Sequence, residues 1–178
     1  MTNTDQIISS IDISKPDYNN MRVWSGFFFD QDFELPEETA EVVTEKERTQ
    51  WFLKEDVFEK YNININAIGE YMQSIYPDQK FSSMTPQIAY SEQTQGWDLG
   101  PHTHNNEIAL HMTVFLNKET NQGIYVHNTD KEFFQEATYV ANIFDQCCVF
   151  PFTGKEWHGV DGEAIKDVRK LLYIDWMK

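Results

Sequence analysis

Short β-rich runs crowd the second half of the chain, and their lengths constrain the fold more than any other feature. From residue 84 onward PQIAY, ALHMTVFLN, GIYVHN, ATYVANIF, CCVFPF, HGV and RKLLYIDWM follow one another, separated by clusters of Gly, Asn, Asp and Pro. Runs this short, β-branched and aromatic, bounded by turn formers, are strands rather than helices. Seven or eight of them in succession predict a mainly β domain, a sandwich or barrel with helices packed outside.

The first half reads as a lead-in. Residues 1–20 are polar and form an arm or loosely docked edge, and RVWSGFFFD (22–30) has strand composition. Pro36 followed by Glu37 and Glu38 looks like a helix start, because Pro is tolerated in the first turn and acids there suit the helix dipole. The stretch 39–60 is highly charged and open between assignments. In 66–76, flanked by Ile65, the residues Ile65, Ile68, Met72 and Ile75 recur at helical spacing before Pro77, so an amphipathic helix is expected. At 178 residues the chain suits a single domain, with 1–83 as arm and helical support and 84–178 as the β core. The start has no basic and apolar leader, and no run is long enough to span a bilayer, so a soluble, cytoplasmic protein with no membrane partner is expected.

Formal net charge is −15, from 29 acidic and 14 basic residues. That argues against a nucleic-acid partner, since phosphates are met chiefly by basic side chains. It also makes each of the three arginines, Arg22, Arg48 and Arg169, informative by its position. Cys147 and Cys148 are adjacent, so in a strand they point to opposite faces and should stay reduced.

The sharpest chemical signal is LGPHTHNNE (99–107). His102 and His104 are two apart and project to one side of an extended segment. Imidazole is the commonest protein ligand for Zn, Fe, Cu and Ni, yet such a pair also occurs as two surface loop histidines. Further on, VFPFTGKEWHGVDGE (149–163) presents His158 after a Pro- and Gly-bearing turn, and Arg169 opens the last strand eleven positions later. The order His-x-His, late His, then Arg is stronger than any of its parts. His111 and His127 read as hydrogen-bonded or exposed histidines, while Trp97 and Trp157 suit either a pocket mouth or ordinary core.

Taken together, IAYSEQTQGWDLGPHTH, MTVFLN, GIYV, CCVFPFTGKEWHGV and VRKLLYIDWM resemble the Fe(II)/2-oxoglutarate-dependent oxygenases, nearest to the prolyl-4-hydroxylase-like branch, over roughly residues 84–178. The resemblance implies a double-stranded β-helix, the jelly roll shared with cupins, with N-terminal helices buttressing one of two facing sheets. It implies Fe(II) held through His102 and His158, 2-oxoglutarate and O2 as cosubstrates, and a small-molecule or peptidyl substrate. Arg169 resembles the residue that pairs with the distal carboxylate of 2-oxoglutarate, and Tyr90 a pocket tyrosine on the preceding strand. An arginine fork suits that carboxylate. Lys170 faces the other side of its strand, and Lys166 precedes it in a loop.

One position departs from the family. Where it places Asp or Glu, this chain has His104. Three arrangements are open: His104 completes a three-His metal site of the kind known in cupin-type dioxygenases, His104 stands aside, or Glu107 or Asp98 supplies the carboxylate; the first is favoured. A cosubstrate-independent three-His dioxygenase and a non-enzymatic cupin-like binding module are therefore the alternatives to the oxygenase.

Overall fold

A computed structural model describes residues 21–28, 32–104, 107–119, 121–127, 137–152 and 154–178. Among these, eleven strands form two antiparallel sheets. The larger takes β1 (Arg22–Ser25), β9 (Gln146–Pro151), β6 (Ile108–Phe115), β11 (Val168–Met177), β4 (Pro86–Thr94), β3 (Arg48–Leu53) and β2 (Glu41–Glu45), in that spatial order. The smaller takes β5 (Leu99–His102), β10 (His158–Val160), β7 (Asn121–Val126) and β8 (Thr138–Asn142). Three strands of the larger sheet, β1 to β3, come from before residue 84, so that half of the chain contributes sheet as well as helical support.

Side-chain alternation gives the larger sheet two unlike faces. On one, Ile88, Met112, Val114, Cys147, Val149, Leu172, Ile174 and Trp176 pack against α1 (Asp56–Lys60) and α2 (Ile65–Ile75) through Val57, Phe58, Ile68 and Met72. On the other, Phe115, Cys148, Phe150 and Leu171 meet Ile124, Val126 and Val140 of the smaller sheet. Cys147 and Cys148 thus enter different cores, both as free thiols.

Helix α2 forms where the Ile and Met spacing places it. Asn64 caps it by accepting from the Ala67 amide at 3.1 Å, and Pro77 lies just past its end. Gly69 lets it approach closely: an added Cβ would lie 3.4 Å from both the Phe81 carbonyl oxygen and Trp176 Nε1.

The helix start expected at Pro36 is not there. Residues 32–40 are irregular and lead into the β2–β3 hairpin, which the Ala40 amide extends by donating to Phe52 O at 2.8 Å. The β-branched Val42, Val43, Thr44 and Thr49 favour the hairpin, and no apolar helical stripe follows the proline to compete. The 22–30 run is a strand only to Ser25. Gly26, at φ 80°, turns the chain, and Asp145 holds the turn by accepting from the amides of Gly26 and Phe27 through its carbonyl and of Phe28 through Oδ1. The arm at 1–20 and the end of that run lie outside the described residues. No helix among those described is long and apolar enough to cross a membrane.

Gly123 marks a close approach of β8 to β7, in the stretch where their register shifts. A Cβ there would lie 1.9 Å from the Val140 carbonyl oxygen. Gly123→Ala should therefore destabilise the protein by about 3 kcal/mol or prevent folding. Gly100→Ala, with nothing within 4 Å of the new carbon, should stay within about 0.5 kcal/mol of the parent. Thermal unfolding of the two variants side by side checks the contrast.

Candidate metal centre

Strand pairing brings the histidines together. His102 ends β5 and His158 begins β10, and the two are direct cross-strand partners. His104, two residues beyond His102, reaches back over the same point. Its Nε2 lies 3.2 Å from His158 Nε2, and one ligand nitrogen from each of the three histidines falls within 4.8 Å of the others.

Backbone carbonyls set two of the tautomers. His102 Nδ1 donates to Gly100 O and His158 Nδ1 to Glu156 O, each at 3.0 Å. A carbonyl only accepts, so each Nδ1 carries the proton and each neutral ring keeps its Nε2 lone pair for another partner. His104 stacks on Phe152 with centroids 4.4 Å apart, and His158 on Phe150 at 4.7 Å. Burial lowers the pKa of all three histidines, and neighbouring imidazoles, His111 among them in each case, lower it further. The cluster is therefore neutral at neutral pH.

This donor set fits a divalent transition metal. Nitrogens bound at about 2.0–2.1 Å to one ion, at angles between octahedral and tetrahedral, stand about 2.8–3.4 Å apart; the His104–His158 separation of 3.2 Å falls in that range, and all three pairs lie within 4.8 Å. Glu107 and Asp98 are exposed and do not join the cluster, which among the described residues contains only the three histidines.

The histidines line a cavity of about 250 Å³ between the sheets, and Arg169 lines it too. Arg169 is 1% exposed. Its Nε donates to Gln122 O at 2.6 Å, one terminal nitrogen to Gly123 O at 3.0 Å, and the other to Gln93 Oε1. All three acceptors are neutral. Among the described residues no carboxylate forms an ion pair with this guanidinium. Gln93 passes the contact on, its Nε2 donating to the Tyr173 hydroxyl at 2.9 Å.

Tyr90 does not join this group. It lies on the helix side of β4, stacked on Phe33 and tilted against Trp51, with its hydroxyl donating to Glu92 at 2.6 Å. It lines a separate surface cavity with Lys166 and Lys170. The tyrosine in the histidine cavity is Tyr173, two strand periods along from Arg169. Alternation from Arg169 also carries Asp175 inward, where it pairs with His111 (Nδ1 to Oδ1, 2.5 Å), whose Nε2 meets the Thr113 hydroxyl at 2.8 Å. His111 is therefore hydrogen-bonded, as expected, but it stands in the cavity wall with its ring centroid 4.8 Å from that of His104. His127 is buried, Trp97 lines the cavity, and Trp157 is not among its walls.

No protein-family model and no curated protein matches the sequence. Among solved structures the chain is similar to a prolyl-4-hydroxylase from Pseudomonas putida, with 11% identity and a TM-score of 0.53 over 74% of this chain and 69% of that one. It is similar to OsALKBH1, with 10% identity and a TM-score of 0.51 over 79% and 86% of the two chains. A Burkholderia pseudomallei oxidoreductase of the 2OG-Fe(II) oxygenase family aligns over 97% of this chain and 75% of its own at 13% identity and a TM-score of 0.47. At these identities the likeness to the first two is one of fold alone, a jelly roll.

Replacing His102 or His158 with Ala should lower metal affinity by more than about 100-fold while leaving the fold intact, which metal analysis and circular dichroism of the purified variants check. The depressed histidine pKa values give a second expectation. Below about 6.5 the unfolded chain gains protons that the folded cluster refuses, so the metal-free protein should lose stability as pH falls through that value. Metal binding to the folded state should weaken only at lower pH than an ordinary imidazole would give, because burial holds all three histidines below that range. Denaturant titrations and metal titrations across the range test both; a metal affinity that falls in step with an ordinary imidazole would contradict the buried, neutral cluster.

Proposed function

We propose that this chain is an iron-dependent dioxygenase that oxidises a small organic substrate with O2 and 2-oxoglutarate. The observation that carries the reading is the sharing of one cavity by three inward-facing histidines and a buried arginine that has no carboxylate partner among the described residues. His102, His104 and His158 would hold the ion, and Arg169 would pair with the distal carboxylate of 2-oxoglutarate. Bound there, Fe(II) supplies the reaction with O2, coupled to decarboxylation of 2-oxoglutarate to succinate.

The remaining roles belong to the protein. Three neutral ligands leave the charge of a divalent ion undiminished, and Arg169 adds another positive charge in a dry interior. A dianionic cosubstrate answers both, which gives the arginine the counter-charge its burial calls for. Gln93 and the carbonyls of Gln122 and Gly123 fix the plane of the guanidinium. Phe150 and Phe152 pack on His158 and His104 and keep water from behind them. His111, held by Asp175 and Thr113, backs the His104 ring.

A second reading is favoured by the ligand set itself, which lacks the carboxylate usual in non-haem iron oxygenases. In it the protein is a three-His dioxygenase that needs no cosubstrate, and Arg169 holds the substrate directly. A binding module without chemistry would retain the fold and turn over nothing.

Calorimetric titration of the metal-loaded protein with 2-oxoglutarate separates these readings. Binding is expected, and Arg169→Ala should weaken it by about 2–5 kcal/mol, with Arg169→Lys recovering only part because the fork is lost. Absence of binding to the parent protein would remove the leading reading, and succinate-free oxidation would favour the second. His104→Asp should keep the metal and His104→Ala should weaken it; equal affinity of His104→Ala and the parent would make His104 a bystander.

A further inference from the structure

The cavity holds a second cation that the proposed function leaves unused. Arg48, on β3, faces Gln93 across the sheet, and Gln93 faces Arg169, so the two arginines occupy one row, two strands apart, on the cavity side. Adjacent strands lie about 4.8 Å apart, which separates the two backbones by about 10 Å. Two of the three arginines in a chain of net charge −15 thus line a single cavity of about 250 Å³.

The surroundings of Arg48 are those of an anion site. Its guanidinium lies 4.4 Å from the centroid of the Trp97 ring, and Glu45 engages one nitrogen from the solvent side at 2.7 Å. The Trp97 Nε1–H is buried and meets no acceptor among the described residues. A buried indole donor left unmet is costly, and a ligand acceptor relieves it. Asp175 is the one acid among the residues lining the cavity, and His111 already engages it.

Trp97 is also held in place. Gly96 donates to Gly162 O at 3.2 Å, and a Cβ on Gly162 would lie 2.4 Å from the Trp97 carbonyl carbon. The turn bearing the indole is locked against the strand connection opposite, so the donor is positioned before any ligand arrives.

We propose that Arg48 and the Trp97 indole N–H bind a carboxylate of the primary substrate, a compact organic acid; this rests on the oxygenase reading above, in which Arg169 is taken by the cosubstrate. A volume at or below the small end of ligand pockets, about 300–1,000 Å³, leaves room beside a cosubstrate only for a compact molecule.

The test uses the metal-loaded full chain, saturated with 2-oxoglutarate, and a panel of short aliphatic and aromatic monocarboxylates, each beside its primary amide. Binding is read by thermal shift and calorimetry. At least one carboxylate should bind, with its amide weaker by roughly tenfold or more, as expected for loss of a charge-assisted hydrogen bond. Arg48→Gln and Trp97→Phe should each lower that affinity by a similar factor and leave 2-oxoglutarate affinity unchanged, while Arg169→Gln should do the reverse. Trp97→Phe keeps the ring under Arg48 and removes only the donor, so its result stands even if Arg48→Gln destabilises the hairpin. Equal binding of acids and amides, no binding by either, or loss of 2-oxoglutarate in Arg48→Gln would each overturn the assignment. Failure of 2-oxoglutarate to bind the parent protein would instead sink the oxygenase reading; carboxylate binding that still depends on Arg48 and Trp97 would then leave the acid site standing.

Discussion

The alternation of β11 is the constraint from which the core and the site both follow. Leu172, Ile174 and Trp176 go to the helices, while Arg169, Leu171, Tyr173 and Asp175 go to the space between the sheets. Because β4 and β6 pair with it residue for residue over most of its length, its two faces are continued across both neighbours. One strand therefore decides which side of the sheet is oil and which side is chemistry. A slip of one residue would send Arg169 into the helix core and Trp176 into the cavity, and each would lose its partners at once.

That partition explains why the order of residues in the site was legible while some of its members were not. The short β-rich runs, the Ile and Met spacing of α2 and the inward Arg169 beside an outward Lys170 all depend on local pattern, which the chain displays openly. The facing direction of Tyr90 does not. A sandwich strand ordinarily turns its large apolar and aromatic residues toward the opposite sheet, and that habit would place Tyr90 in the pocket. Here β4 does the opposite: Gln87, Ala89 and Gln93 line the cavity, and Ile88 and Tyr90 turn to the helices. The interior between the sheets is polar at this end, so hydrophobicity no longer marks the inside. Counting in twos from Arg169 was the signal that could have found Tyr173 and Asp175. The β2–β3 hairpin was hidden for another reason, since β2 is exposed and charged at both ends and the pairing of β3 with β4 is decided by residues distant in the chain.

The histidine cluster is assembled from the other sheet, and its precision comes from strand register rather than loop chemistry. His102 and His158 meet because β5 and β10 pair at that point, and the carbonyls of Gly100 and Glu156, each two residues before its histidine, fix both rings in the same way. His104 lies past the end of β5 and has no such carbonyl tether among the described residues; it stacks on Phe152, with the His111 ring tilted beside it. The position where this chain departs from the oxygenase pattern is thus also the least anchored of the three. A carboxylate at that place would have no use for the aromatic wall, whereas an imidazole stacks against it.

Charge closes the account of what the cavity selects. The surface is strongly acidic, yet the cavity carries two arginines and a neutral donor set. Across solvent, at physiological ionic strength, the acidic surface is screened over about 8 Å, so it repels an approaching anion only weakly and at short range. Inside, charges interact through a poorly screened medium, where Arg169, which no carboxylate among the described residues pairs, attracts an anion more strongly than it would in water. In the proposed reading, selection for an anion would occur after entry, through Arg169, Arg48 and the Trp97 N–H, and not through steering from a distance. A polyanion, which must lie along the surface, meets only the repulsion; a small acid that fits the cavity meets the cations.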